Sequence, residues 1–119
     1  MSVEFTEWLF SYGTLQREAV QLSTFGRLLD GRPDKLPGYR ITLIAIDDPE
    51  VVASTGDTHY KNIQHSDVDA DVVEGTVFSV TLSELELADQ YEDEANYYRV
   101  IVELGSGTKA WVYLNSSKH

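Results

Sequence analysis

The sequence predicts an α+β fold in which several short strands surround one well-defined helix. Apolar and polar side chains alternate over residues 39–46 and again over residues 97–104, which is typical of strands with one buried face. Residues 81–96 instead repeat apolar side chains at helical spacing after a capping-box pattern, which predicts a helix. The 119 residues suit a single domain, which we assign to residues 1–119.

The other segments are assigned from the same periodicities and from the turn residues between them. They are strands at 7–12, 72–80 and 108–114 and a short helix at 17–25. Gly105-Ser106-Gly107 favours a hairpin between the last two strands. Residues 47–71 are polar and lack periodicity, so we expect a long loop with short extended pieces there.

The composition limits the partners of this chain. Nine Lys and Arg against twenty Asp and Glu give a net charge of −11, which repels nucleic acids and anionic membranes. No apolar run is long enough to cross a bilayer, and the N-terminus lacks the pattern of a secretory signal, so we expect a cytoplasmic protein. The absence of Cys excludes disulfides, thiolate metal sites and a Cys nucleophile.

One carboxylate of the predicted helix lies on its apolar side. At helical spacing Glu92 falls between Leu85 and Ala88. Four polar residues of this segment fall on the opposite side: Glu86, Gln90, Asp93 and Glu94. Burial raises the pKa of a carboxyl group towards the range that suits acid–base catalysis. Two interpretations stay open: a structural glutamate bonded to a neighbouring strand, or an acid–base catalyst.

The first predicted strand ends in a glycine-containing turn, Ser11-Tyr12-Gly13-Thr14. Because Gly13 has no Cβ, the chain can turn sharply there and a ligand can approach the backbone closely. Successive N–H groups of such a turn form a concavity that binds anions. Taken alone, however, a Tyr-Gly-Thr sequence is more typical of an ordinary turn at the end of a strand.

Several short motifs, taken together and in this order, resemble the gamma-glutamylcyclotransferase-like family and its AIG2-like branch. They are Tyr12-Gly13-Thr14-Leu15, Leu36-Pro37-Gly38-Tyr39, Val73-Glu74-Gly75-Thr76-Val77-Phe78, Ala88-Asp89-Gln90-Tyr91-Glu92, Tyr98-Arg99 and Ala110-Trp111-Val112-Tyr113. The chain departs from the family pattern at Ala88, where Leu is usual, and at Asp93, where Gly is usual. Residues 50–71 have no clear counterpart in the family.

The resemblance implies a small mixed β-barrel flanked by helices, with a cavity. It implies that Glu92 is the catalytic acid/base and that the substrate-binding residues are Tyr12, Gly13, Thr14, Leu15 and Tyr98. The implied reaction cyclises a γ-glutamyl amine or γ-glutamyl amino acid to 5-oxoproline and releases the amine. It uses a small-molecule substrate and requires no metal and no cofactor. The alternative is a non-catalytic binding or interaction module on the same fold.

Overall fold

The computed structural model of the chain describes residues 6–115, so most of the N-terminal segment considered above for a secretory signal lies outside it. The elements in chain order are β1 (Glu7–Ser11), α1 (Glu18–Phe25), β2 (Asp30–Pro37), β3 (Tyr39–Ala45), α2 (Pro49–Thr55), β4 (His59–His65), β5 (Val72–Val80), α3 (Leu82–Asp93), β6 (Tyr97–Glu103) and β7 (Lys109–Asn115). A short 3₁₀ helix at Thr14–Gln16 joins β1 to α1.

The strands form two sheets. Five strands pair in the order β2-β5-β1-β7-β6, and β3 pairs with β4 in a separate hairpin. The β1–β7 pairing is parallel, whereas β1–β5, β2–β5 and β6–β7 are antiparallel. The chain therefore has the predicted α+β fold with a mixed sheet.

The five-stranded sheet curls, but it does not close into the predicted barrel among the described residues. The turn between β6 and β7 reaches β2, where the Gly105 N–H donates to the Lys35 carbonyl at 2.7 Å. Within β2, Pro33 and Pro37 have no N–H to donate to a further strand. Contact between the two edges is thus local, and the sheet stays open.

The prediction of a long loop over residues 47–71 is wrong, because this segment contains α2 and β4. α2 begins at Pro49 after Asp48, whose carboxylate accepts a hydrogen bond from the Glu50 N–H at 2.9 Å. The helix ends at Gly56, which has a φ of 78°. An N-cap Asp, a Pro in the first turn and a left-handed terminal Gly are local signals for a short helix. Periodicity could not reveal α2 because none of its residues is buried.

The strand β2 was also not predicted. Only Leu36 of its eight residues is buried, so the segment has no alternation that would indicate a strand. It pairs with β5 along its whole length, from Asp30 opposite Ser79 to Pro37 opposite Val72.

The helix α3 forms as predicted and has Thr81 as its N-cap. The Thr81 hydroxyl accepts a hydrogen bond from the Glu84 N–H, and the Glu84 carboxylate accepts one from the Thr81 N–H, both at 3.0 Å. These bonds satisfy two donors at the start of the helix. Leu85 and Ala88 are completely buried, so the apolar side of α3 packs on the sheet.

Each face of the sheet has its own core. On one face, Leu9 and Phe78 of the sheet pack with Leu85 and Ala88 of α3. On the other face, Phe10, Val77 and Val112 pack with Ile63 of the β3–β4 hairpin. The hairpin also reaches the first core, where Tyr60 of β4 packs against the cluster that contains Leu85 and Ala88. Among residues 6–115, no helix is long and apolar enough to span a membrane.

Gly75 provides a test of this packing. A Cβ at Gly75 would overlap the backbone carbonyl of Ser11 on the neighbouring strand β1. We expect Gly75→Ala to lower the free energy of unfolding by about 1–3 kcal/mol, since the sheet must move to admit the methyl group. Gly105→Ala is the matched control, because a Cβ there meets its nearest atom at 3.6 Å. Urea denaturation measures both, and equal stabilities for the two variants would contradict the packing described here.

Candidate active site

A cavity of about 800 Å³ lies where the end of β1, the last turn of α3 and the β3–β4 hairpin meet. Five of the predicted site residues line it: Tyr12, Gly13, Thr14, Leu15 and Glu92. The cavity thus brings together the turn and the helical carboxylate, which are far apart in the sequence.

Glu92 lines this cavity and is half-buried. Among residues 6–115 no hydrogen bond or ion pair involves its carboxylate. Burial raises the pKa of Glu92 from its ordinary value of 4.5 to about 7, as its position on the apolar side of α3 predicted. The structural interpretation expects a hydrogen bond to a neighbouring strand, and the described residues contain none from this carboxylate. The nearby Arg99 pairs with Asp89 at 2.7 Å.

Four tyrosines surround Glu92, namely Tyr12, Tyr91, Tyr97 and Tyr113. Burial is the main cause that raises the pKa of each phenol, and the charge of Glu92 raises it further. All four hydroxyls are therefore protonated at neutral pH.

Three of these hydroxyls donate their protons to protein acceptors. Tyr12 donates to the Tyr113 carbonyl at 2.6 Å, and Tyr97 donates to the Lys61 carbonyl at 2.6 Å. Tyr113 donates to the Asp89 carboxylate at 2.7 Å. The tyrosines thus fix the walls of the cavity and leave the Glu92 carboxylate unneutralised.

The turn after β1 presents backbone donors. In the 3₁₀ helix the Gln16 N–H donates to the Gly13 carbonyl at 3.1 Å. Thr14 and Leu15 come before Gln16 in the chain, and within residues 6–115 neither of their N–H groups has a backbone acceptor. The Leu15 side chain is buried in the core, so only its backbone is available to a ligand.

Gly13 precedes the 3₁₀ helix as its N-cap residue. Its φ is −132° and its ψ is −140°, so its backbone is neither helical nor in the left-handed region. A Cβ at Gly13 would meet no atom within 4 Å. Because Gly13 lines the cavity, the missing side chain leaves space for a ligand next to the backbone.

The structure separates Tyr98 from the other predicted site residues. Tyr98 is 46% exposed and lies along a shallow surface groove with Asp89, Arg99 and Trp111. Its neighbour Tyr97 lines the cavity. Successive residues of a strand point to opposite faces, so a difference of one position moves the side chain to the other side of the sheet.

The segment predicted as a loop contributes cavity residues that sequence reasoning missed. Asp57, His59, Tyr60 and Lys61 lie on or next to β4 and line the cavity. Asp57 also receives two hydrogen bonds from Arg17, at 3.0 and 3.2 Å, which join this wall to the start of α1. No motif in this segment indicated a site. Within the described part of the chain, no cluster of three or more His, Asp or Glu side chains could hold a metal ion.

Comparison with known proteins assigns the family. The model of the family "Gamma-glutamyl cyclotransferase, AIG2-like" matches residues 9–119. A search of curated proteins finds no significant match.

Solved structures share the fold. Two solution structures of proteins from Arabidopsis thaliana have TM-scores of 0.69 and 0.68 to this chain, at 24% and 26% identity, and cover 95% and 96% of it. A protein named gamma-glutamyl cyclotransferase has a TM-score of 0.68 at 16% identity and covers 95% of the chain. The chain spans 70%, 65% and 68% of the lengths of these three structures. Because the family model matches residues 9–119, the chain belongs to the gamma-glutamyl cyclotransferase, AIG2-like family.

Proposed function

We propose that this chain is a γ-glutamyl cyclotransferase with Glu92 as its acid/base. It converts a γ-glutamyl amine or γ-glutamyl amino acid to 5-oxoproline and the free amine or amino acid. The observation that carries the proposal is the Glu92 carboxylate, which has no partner among the described residues and whose pKa of about 7 is set by burial. It shares a cavity with the donor-bearing turn.

The reaction is an intramolecular acyl transfer. The α-amine nitrogen of the substrate attacks its own γ-carbonyl carbon, which forms the C–N bond of the five-membered ring. The bond between that carbon and the leaving nitrogen then breaks. Since nucleophile and carbonyl belong to one molecule, most of the entropic cost of bringing them together is already met.

Glu92 moves the protons. The α-ammonium group first loses one proton to water, and the carboxylate accepts a second proton from the nitrogen as it attacks. The resulting carboxylic acid donates that proton to the leaving nitrogen, and Glu92 returns to its starting form. A pKa of about 7 suits both steps because neither form is strongly favoured near neutral pH.

The turn supplies the positive end of the site. The N–H groups of Thr14 and Leu15 are donors for the α-carboxylate of the substrate or for the oxyanion that develops on the γ-carbonyl oxygen. The volume of about 800 Å³ is within the range for small-molecule sites, roughly 300–1,000 Å³. The surrounding tyrosines limit the access of water to the carboxylate.

A non-catalytic binding module on the same fold is the second candidate. The departures from the family pattern at Ala88 and Asp93 favour it, because both flank Glu92 on α3. The chain also spans only 65–70% of the length of the two plant structures. Turnover separates the candidates, since a binding module takes up a γ-glutamyl ligand but releases no 5-oxoproline.

We expect Glu92→Gln to fold and to bind a γ-glutamyl ligand, but to lose roughly 10²–10⁴-fold in turnover. The amide keeps the size of the side chain but cannot accept and return a proton. The assay is release of 5-oxoproline from a panel of γ-glutamyl amines and γ-glutamyl amino acids. Glu86→Gln, at an exposed position of the same helix, is the control and keeps wild-type turnover. A Glu92→Gln variant as active as the wild type would show that the mechanism is wrong.

Glu92→Gln also tests how much the Glu92 carboxylate lowers the free energy of unfolding. Because the pKa of Glu92 is raised from 4.5 to about 7, the folded chain binds more protons than the unfolded chain between these values. The free energy of unfolding of the wild type therefore falls as the pH rises through this window. We expect Glu92→Gln to be more stable than the wild type by about 3 kcal/mol at pH 8 and nearly equal to it at pH 4. Urea denaturation at both pH values measures this, and a pH-independent difference would contradict the burial of Glu92.

The space beside Gly13 gives a separate test. Gly13→Ala introduces a methyl group into the cavity without a clash and without an unfavourable φ. We expect its thermal midpoint to match that of the wild type, while KM for the γ-glutamyl substrate rises roughly tenfold because the ligand is displaced from the backbone. An unchanged KM would place the substrate elsewhere in the cavity.

A further inference from the structure

We infer that Tyr91 is a positioning residue, whose hydrogen bond to Thr14 sets the separation between the Glu92 carboxylate and the backbone donors of the turn. The two hydroxyl oxygens lie 2.7 Å apart and join residues 77 positions apart in the sequence. The catalytic consequence rests on the function proposed above, but the structural consequence does not.

The turn has other side-chain anchors, and they lead away from α3. The Thr76 hydroxyl of β5 donates to the Gln16 side chain at 2.9 Å. The buried Gln21 of α1 donates to the Leu15 carbonyl at 2.9 Å and accepts from the Leu29 N–H at 2.9 Å. These bonds fix the turn relative to β5 and α1, and none of them reaches α3, against which the turn packs through the Leu15 side chain.

The Tyr91–Thr14 contact is the one hydrogen bond in the described part of the chain that joins the 12–15 turn to α3. Tyr91 immediately precedes Glu92, so a displacement of Tyr91 also moves the carboxylate. The Glu92 side chain makes no hydrogen bond or ion pair among the described residues, and in the last turn of α3 the backbone carbonyl of Glu92 accepts from the Ala95 N–H at 3.1 Å. The position of the carboxylate thus depends on its neighbour.

The Tyr91 hydroxyl is suited to this role. Its side chain is half-buried in the wall of the cavity, where water competes less for the bond. Burial raises the pKa of Tyr91, while the Thr14 bond and the nearby Arg17 oppose that rise. The phenol is protonated at neutral pH, so one of the two hydroxyls is always available as donor to the other.

The inference changes the expected role of Thr14. If the turn acted through its backbone alone, removal of the Thr14 hydroxyl would have little effect. If the hydroxyl instead holds the turn against α3, removal from either end must have the same effect. Removal from both ends must then cost no more than removal from one, because a single bond is lost in every case.

The experiment compares Tyr91→Phe, Thr14→Val and the double variant in the full chain. We expect each to lower kcat for a γ-glutamyl substrate by roughly 10- to 100-fold with a smaller change in KM, because displacement at the reacting centre mainly slows the chemical step. Thr14→Ser keeps a hydroxyl and retains most of the activity. Tyr39→Phe is the matched control, since Tyr39 lies outside the cavity and its hydroxyl makes no hydrogen bond among the described residues.

A second readout does not require turnover. The Gln16 and Arg17 N–H groups donate to the Gly13 and Thr14 carbonyls, so their amide hydrogen exchange reports the order of the turn. We expect both amides to exchange faster in Tyr91→Phe and in Thr14→Val than in Tyr39→Phe, with no further increase in the double variant. Additive effects of the two substitutions, or exchange that matches the wild type, would overturn the inference. A wild type that turns over no γ-glutamyl compound would refute the proposed function, and the exchange data would still decide the role of Tyr91.

Discussion

The carboxylate of Glu92 is desolvated and has no bonding partner among the described residues, and the rest of this structure depends on that constraint. Glu92 follows Leu85 and Ala88 on the side of α3 that packs on the sheet, so the packing that stabilises the helix also desolvates the carboxylate. A carboxyl group in such a position needs either a donor or a proton. Its surroundings provide no donor among the described residues, and the raised pKa is the result. The raised pKa lowers the free energy of unfolding at neutral pH.

The charged side chains near Glu92 are paired with other residues of the fold. The Asp89 carboxylate takes hydrogen bonds from Tyr113 and Arg99, and Arg99 also lies 4.4 Å from the centre of the Trp111 ring. Arg17 is held by Asp57 on the far wall. Arg17 and Arg99 thus each have an acidic partner other than Glu92. The two bonds to Asp89 join α3 to β6 and β7, so the contacts that hold α3 on the sheet also keep Arg99 from pairing with Glu92.

The sequence predicted those parts of the site whose side chains are buried in a regular pattern. The helical period placed Glu92 beside Leu85 and Ala88, and alternation located β3 and β6. Exposed elements gave no such signal: β2 buries only Leu36, and α2 buries nothing, so the wall that carries Asp57 and His59 could not be predicted. Tyr98 shows a different limit. The Tyr98-Arg99 motif predicts which strand carries the tyrosine. Which of two adjacent tyrosines faces the cavity depends on the register of the strand, and in the structure it is Tyr97.

The hydroxyl protons of the cavity tyrosines have a consequence for which ligands fit. Tyr12 and Tyr97 each donate their single hydroxyl proton to a backbone carbonyl, so these oxygens can only accept hydrogen bonds from a ligand. Together with the Glu92 carboxylate, they make this side of the cavity a hydrogen-bond acceptor. The 12–15 turn has the opposite character, because its free N–H groups only donate. A molecule with a cationic and an anionic end separated by one carbon, such as the head of an α-amino acid, would match this polarity in one orientation and be mismatched in the reverse one.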